Sequence, residues 1–218
     1  MAKRREVSAC AFCGAPDGVT DDHLPPRGCF PAPVPADRIT VPCCERCRLE
    51  WGSKDDEHFR NVLHCAEWLE NDPRSQAVRD VIGRSFQRPE GARYAEGFVA
   101  AMEDVFTPDG NAEEKVAVPL DDRVSRVVER IARGIYWREL RRPVPRTHIV
   151  ERAQLDQYRK NVEKVLGRIG QYARGVVRAW NGQFQYVFIA EPTVGEAFFT
   201  CCFFGRAWAL AFIRRRRT

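Results

Sequence analysis

The stretch from Cys10 to Cys47, CAFCGAPDGVTDDHLPPRGCFPAPVPADRITVPCCERC, decides how the chain is read. It opens on one Cys-x-x-Cys pair, Cys10-Ala11-Phe12-Cys13, and closes on another, Cys44-Glu45-Arg46-Cys47. A two-residue gap lets both thiolates of a tight turn face one ion at about 2.3 Å, and a tetrahedral Zn2+ takes four such soft ligands. Thirty residues separate Cys13 from Cys44, room for a β-hairpin or a long loop. Gly14 suits the turn after the first pair, and a helical pattern starts at Glu45 after the second. The expectation is a structural Zn2+ on Cys10, Cys13, Cys44 and Cys47. Cys43 is an alternative to Cys44, but its gap to Cys47 is three residues, and Cys44 repeats the spacing of the first pair. Cys29 is expected to pack nearby.

The rest of the composition bounds the reading. The chain has 218 residues, 44% apolar and 30% charged, enough for a packed core. Nine cysteines are an odd number, which argues against a closed disulfide framework and for metal binding in a reducing compartment. Cys65, Cys201 and Cys202 have apolar neighbours and read as small core hydrophobes. No apolar run approaches the roughly 18 residues that cross a bilayer, and the N-terminal MAKRREVSAC lacks the apolar stretch of an export signal. A cytoplasmic protein with no membrane partner is expected. The net charge is +5, and four of those charges equal the run Arg214–Arg217. Such local basicity permits a polyanionic partner and equally suits a solvated tail.

Along the chain the pattern is α+β: a cysteine-rich head over residues 1–70, then a helical middle and a C-terminal antiparallel β-sheet over residues 71–218. Arg38–Val41 (RITV) reads as a short strand. From Glu45, apolar residues recur at helical offsets through Leu69, with a break at Gly52-Ser53. Pro73 and Pro89 start two short helices, the second with Phe98, Met102, Val105 and Phe106 on its stripe. A loop and a short strand (KVAVP) precede a periodic helix over Asp121–Arg142. Its Val124, Val127, Val128, Ile131 and Ile135 face a core, with Arg123, Arg126, Arg130 and Arg133 elsewhere on its surface. A further helix is expected over Arg152–Arg168. Strands follow at Gly175–Trp180, Gln183–Ala190, Ala197–Phe204 and Ala207–Ile213, the first two joined by the hairpin signal Asn181-Gly182. The aromatic residues of these strands read as a sheet core that could also seal a homodimer.

Between the thiol pairs lies Thr20-Asp21-Asp22-His23-Leu24-Pro25-Pro26. Cys-x-x-Cys, then Asp-His followed by Pro, then a second Cys-x-x-Cys opening a helix, resembles an HNH endonuclease of the ββα-metal, treble-clef type. Gly52-Ser53-Lys54-Asp55-Asp56-Glu57-His58-Phe59-Arg60 and Cys29-Phe30-Pro31 are similar to one bacterial branch of that family. The strong motifs cover residues 10–60. The Arg133-Gly134-Ile135-Tyr136 turn and the terminal aromatic strands resemble it more loosely. The resemblance implies a structural zinc, DNA as partner, His23 as the general base that activates water, and Asp22 as ligand to a catalytic Mg2+ or Mn2+. A histidine suits the first role because its ordinary pKa of roughly 6.5 lets it accept a proton near neutrality. A hard divalent cation wants carboxylate oxygens.

One departure matters. The family places Asn directly after the second Cys-x-x-Cys as a metal ligand, and this chain has Arg48. An arginine cannot ligate a cation. Either Glu45, Glu50 or Asp55 takes over, or Arg48 contacts the phosphate itself, or the site binds without cutting. The functional expectation is an HNH-type endonuclease acting on DNA; the alternative is a catalytically degenerate, zinc-stabilised nucleic-acid-binding protein. Lys54 is a candidate phosphate contact or a solvated lysine. His58 reads as a partly exposed surface residue, His64 as a core or surface residue, and His148 carries no expected role. The arginine-rich helix is a candidate DNA contact or a solvated face.

Overall fold

The computed structural model describes residues 9–16, 19–65, 69–106, 112–117, 120–156, 167–168 and 175–216. The head is built on a two-stranded antiparallel hairpin, β1 (Val19–Leu24) against β2 (Ile39–Cys44). Pro42 can stand in β2 because its missing N–H is not needed on the free edge, and its carbonyl accepts the Ala11 N–H at 2.8 Å. That bond lays the first cysteine turn across the strand that leads into the second. Cys44 then caps helix α1 (Glu45–Trp51), which stops at Gly52 in the left-handed region, φ 60°. Helix α2 (Ser53–Cys65) follows at once.

Two helices, α3 (Pro73–Phe86) and α4 (Pro89–Ala100), start at their prolines as expected. Asp72 caps α3 by accepting the Arg74 N–H at 2.9 Å. Helix α4 ends earlier than its apolar stripe suggests. Val105 and Phe106 belong to strand β3 (Glu103–Phe106), which pairs with β4 (Ala112–Ala117). Helix α5 (Asp122–Leu140) is capped by Asp121 and buries the expected Val124, Val127, Val128, Ile131 and Ile135. Its Arg130 departs from the surface position expected of it and is only 4% exposed.

The C-terminal sheet has the order β5-β9-β8-β7-β6, antiparallel throughout, from β5 (His148–Asp156), β6 (Val177–Ala179), β7 (Phe184–Glu191), β8 (Glu196–Phe203) and β9 (Ala207–Arg215). Strand β8 is buried on both faces after its first residue, so EAFFTCCF is a nearly continuous apolar run. Strand β9 alternates between buried and half-buried positions. The helix expected over Arg152–Arg168 is corrected in part: residues 152–156 continue β5, held by pairing with β9, and cross-strand pairing overrides local helical spacing there. Residues 157–166 lie outside the described residues. The Asn181-Gly182 hairpin forms, with a wider turn: Trp180, Asn181 and Gly182 all take positive φ.

One core runs through head and sheet. The Trp180 ring, fully buried, stacks on Phe30 at 4.3 Å, and its indole N–H donates to the Leu24 carbonyl at 2.9 Å. Helix α5 crosses close to β1, and Gly134 makes this approach fit, since a Cβ there would meet Leu24 Cδ1 at 2.1 Å. Cys201 and Cys202 are core residues as expected, whereas Cys65 is exposed at the end of α2. Among the described residues no helix is long and apolar enough to cross a membrane.

Candidate metal centre and the Asp22-His23 strand

The ligand atoms of Cys10, Cys13, Cys44 and Cys47 lie within 4.8 Å of one another and are positioned to hold a metal ion. Cys13 Sγ is 3.6 Å from Cys44 Sγ, and the Cys44 N–H donates to Cys10 Sγ at 3.4 Å. Burial pushes the Cys13 thiol up, but the Ala15 N–H and the three neighbouring thiols outweigh it, and its pKa falls to about 7. These donors favour the Cys13 thiolate, whereas burial and the same neighbouring thiols push the Cys47 thiol well up. Cys43 stands apart: burial pushes its thiol up to about 12, and it bonds instead to the Cys44 carbonyl. The choice between Cys43 and Cys44 falls to Cys44. Cys29, fully buried, packs in the same core with its thiol raised by burial.

The hairpin register carries the geometry onward. Val19 faces Cys44 at the thiol end, and His23 faces Thr40 at the other. His23 is half-buried, its ring 6.0 Å from that of Trp180. Burial, with the guanidiniums of Arg38 and Arg27, lowers its pKa against the opposing pull of Asp22 and Asp21. The imidazole is therefore neutral near pH 7. The half-buried Asp22 carboxylate accepts the His23 N–H at 3.0 Å.

A second carboxylate, Asp56, feels the charge of Asp22. Burial pushes Asp56 up to about 6; Arg130 opposes the shift, and the charges of Asp22 and Asp55 add to it. The Arg130 guanidinium lies 2.9 Å and 3.0 Å from the two Asp56 oxygens. Only one of these is a well-directed hydrogen bond, and Asp56 Oδ1 and Arg130 Nε have no hydrogen-bond partner among the described residues. Sequence reasoning offered Asp55 as a replacement ligand and passed over Asp56. Asp55 is held by Arg126 at 2.7 Å and 3.1 Å. Helical spacing puts both aspartates on the inward side of α2, so no local signal separates them; arginines 71 and 74 residues away do.

Arg48 is exposed on α1, as are Glu45, Glu50 and, at the start of α2, Lys54. His58 is corrected from a surface residue to a buried one. Its Nδ1 lies 2.7 Å from Tyr94 Oη and its Nε2 3.3 Å from Asp121 Oδ1, tying α2 to α4 and to the cap of α5. His64 is a core residue between Ser75 Oγ and the Cys29 carbonyl. His148, given no role from sequence, donates from Nε2 to the Val194 carbonyl at 2.9 Å. The arginine face of α5 is largely matched by acids: Arg123 by Asp121, Arg126 by Asp55, Arg130 by Asp56 and Arg133 by Glu129. The chain matches no family model, no curated protein and no solved structure.

Proposed function

We propose that the chain is a zinc-stabilised HNH-type endonuclease that hydrolyses DNA phosphodiester bonds, with a treble-clef head. The observation that carries this reading is the β1–β2 pairing: the strand bearing Asp22 and His23 is fixed at its other end by four clustered thiols and by α1. Four sulfur donors in a closed, mostly buried set suit a structural Zn2+ better than a hard cation.

His23 fits a general base. It is neutral near pH 7, half-exposed, and held by strand pairing rather than by a loop. Its imidazole would take a proton from the water that attacks phosphorus. Asp22 offers the oxygen donor that Mg2+ or Mn2+ prefers, and Asp56 adds negative charge felt at Asp22. Such an ion would supply positive charge at the phosphate and at the departing oxygen. Arg48 and Lys54, both exposed, are available to a phosphate.

Purified protein with supercoiled plasmid and Mg2+ or Mn2+ should produce nicked DNA, and His23→Ala should slow nicking roughly 100- to 10 000-fold. A rate that His23→Ala leaves unchanged overturns the assignment. A second reading, a non-catalytic nucleic-acid binder, draws on Arg48 in the usual Asn position and on Arg130 already neutralising Asp56. DNA binding without metal-dependent nicking would favour it.

A further inference from the structure

We infer that a basic groove between the thiol cluster and the end of β9 is the track that holds a nucleic-acid backbone. The inference rests on the nucleic-acid reading above and adds where the polymer lies. The groove has a volume of about 560 Å³. Cys13 and Arg46 line it from the head, Arg133 from α5, Arg146 from the connection into β5, His148 from the first position of β5, and Arg216 from beyond β9. Four guanidiniums from four separate segments converge there, and no carboxylate lines the groove among the described residues.

Arg133 has Glu129 at 2.7 Å and Arg46 hydrogen-bonds the Cys13 thiol, while Arg146 and Arg216 are exposed. Gathering like charges in one concave surface raises the energy of the free protein and concentrates positive potential in the cleft. A phosphate chain removes that cost, and guanidiniums bind phosphate oxygens bidentately. Arginines supplied by four separate segments along an open groove suit a polymer. Arg216 is held at the groove by its own backbone, whose N–H donates to the Thr147 carbonyl at 2.9 Å.

The groove is distinct from the Asp22-His23 end of the hairpin. Cys13 and Arg46 belong to the thiol end, where Val19 faces Cys44, and His23 lies four residues further along β1. At roughly 3.3 Å per residue that is about 13 Å, or about four nucleotide steps along one strand of duplex DNA. The groove therefore orients the backbone while the scissile phosphate lies elsewhere.

The test is binding, measured apart from cleavage. In the metal-loaded, full-length His23→Ala protein, Arg146→Gln/Arg216→Gln is compared with Arg84→Gln/Arg88→Gln, an equal charge change on exposed residues of α3 and at the start of α4. Fluorescence anisotropy of a labelled DNA duplex is followed over a salt series, with circular dichroism to check folding. The groove pair should weaken binding about tenfold or more and reduce the salt slope by nearly 2, since each lost phosphate contact removes about 0.9. The control pair should leave the slope unchanged. If both pairs weaken binding equally, the groove assignment falls while DNA binding stands. If the groove pair alone loses binding but no variant with His23 intact cuts DNA, the groove stands and the nuclease reading falls. Absence of DNA binding by the parent protein overturns both.

Discussion

Cysteine is used in two opposite ways in the two ends of this molecule. In the head, Cys10, Cys13, Cys44 and Cys47 crowd where β1, β2 and α1 meet, with a backbone N–H aimed at one sulfur and the thiols close to one another. In the C-terminal sheet, Cys201 and Cys202 sit side by side in β8 among aromatic rings, and burial raises the Cys201 thiol well above its ordinary range. Burial is common to both and raises the Cys47 thiol as it raises the Cys201 thiol; the difference is that four sulfurs come together in the head. Where four sulfurs lie within 4.8 Å of one another, they are positioned to share one ion. Where Cys201 stands buried in the sheet with the Ala209 backbone as its hydrogen-bond partner, sulfur fills space. The head adds to its apolar core four sulfurs placed to hold a metal ion, while the sheet draws order from buried rings.

Breaking the ligand set should have the largest effect on that contrast. Cys44→Ser is expected to reduce zinc from about one per chain to a small fraction and to lower stability by several kcal/mol, out of the roughly 10–16 that a structural zinc site supplies. A chelator should then add little. Cys201→Ala, the same element removed from the sheet, should leave zinc content unchanged. Metal analysis and thermal melting with and without chelator check both. Full occupancy in Cys44→Ser would transfer the ligand role to Cys43.

A pH titration sharpens the comparison at the seam between head and body. His64, fully buried, has its pKa lowered by burial to about 4, against roughly 6.5 when unfolded. Between those values the unfolded chain binds a proton that the folded chain refuses. Stability is therefore highest above about pH 6.5 and falls as pH drops toward 4, by roughly 3 kcal/mol from this group. His23 and His58, also lowered, act in the same direction. Asp56 acts in the opposite one: raised to about 6, it favours the folded state at low pH and loses that contribution as pH rises through its window. Urea denaturation from pH 4 to 7 should show a shallower slope for His64→Gln and a steeper one for Asp56→Asn. A His64→Gln slope equal to that of the parent would discard the neutral buried imidazole.

Much of this was legible in the sequence because it is local. The two Cys-x-x-Cys pairs, the helix starts at Pro73 and Pro89, the α5 stripe and the apolar run of β9 are each short-range features of the chain. What escaped is set by distant partners. Arg130 looks like any surface arginine on α5 until α2 brings Asp56 to it. His58 looks exposed until Tyr94 and Asp121 close over it. Arg46 and Arg216 stand 170 positions apart and meet only because the sheet folds back on the head. Residues 152–156 are strand because β9 pairs with them.

The smallest effects come from two helical glycines, and their signs should differ. Replacing glycine by alanine within a helix gains about 0.5–1 kcal/mol from backbone entropy when space allows. Gly97, exposed on α4, has nothing within 4 Å of the added Cβ, so Gly97→Ala should raise stability by up to that amount. At Gly134 the added Cβ would meet Leu24 Cδ1 at 2.1 Å and Leu24 Cγ at 3.2 Å. Overpacking of this kind costs typically 1–3 kcal/mol, more than the helix gains. Leu24 directly follows His23, so relief of the clash moves the end of β1, and Gly134→Ala should also reduce nicking. Adding Leu24→Ala creates the missing room, and the double variant should be less destabilised than the two single changes summed. Thermal melting of the four proteins checks the signs. Simple additivity would show that α5 and β1 do not meet as tightly as the Gly134–Leu24 contact requires.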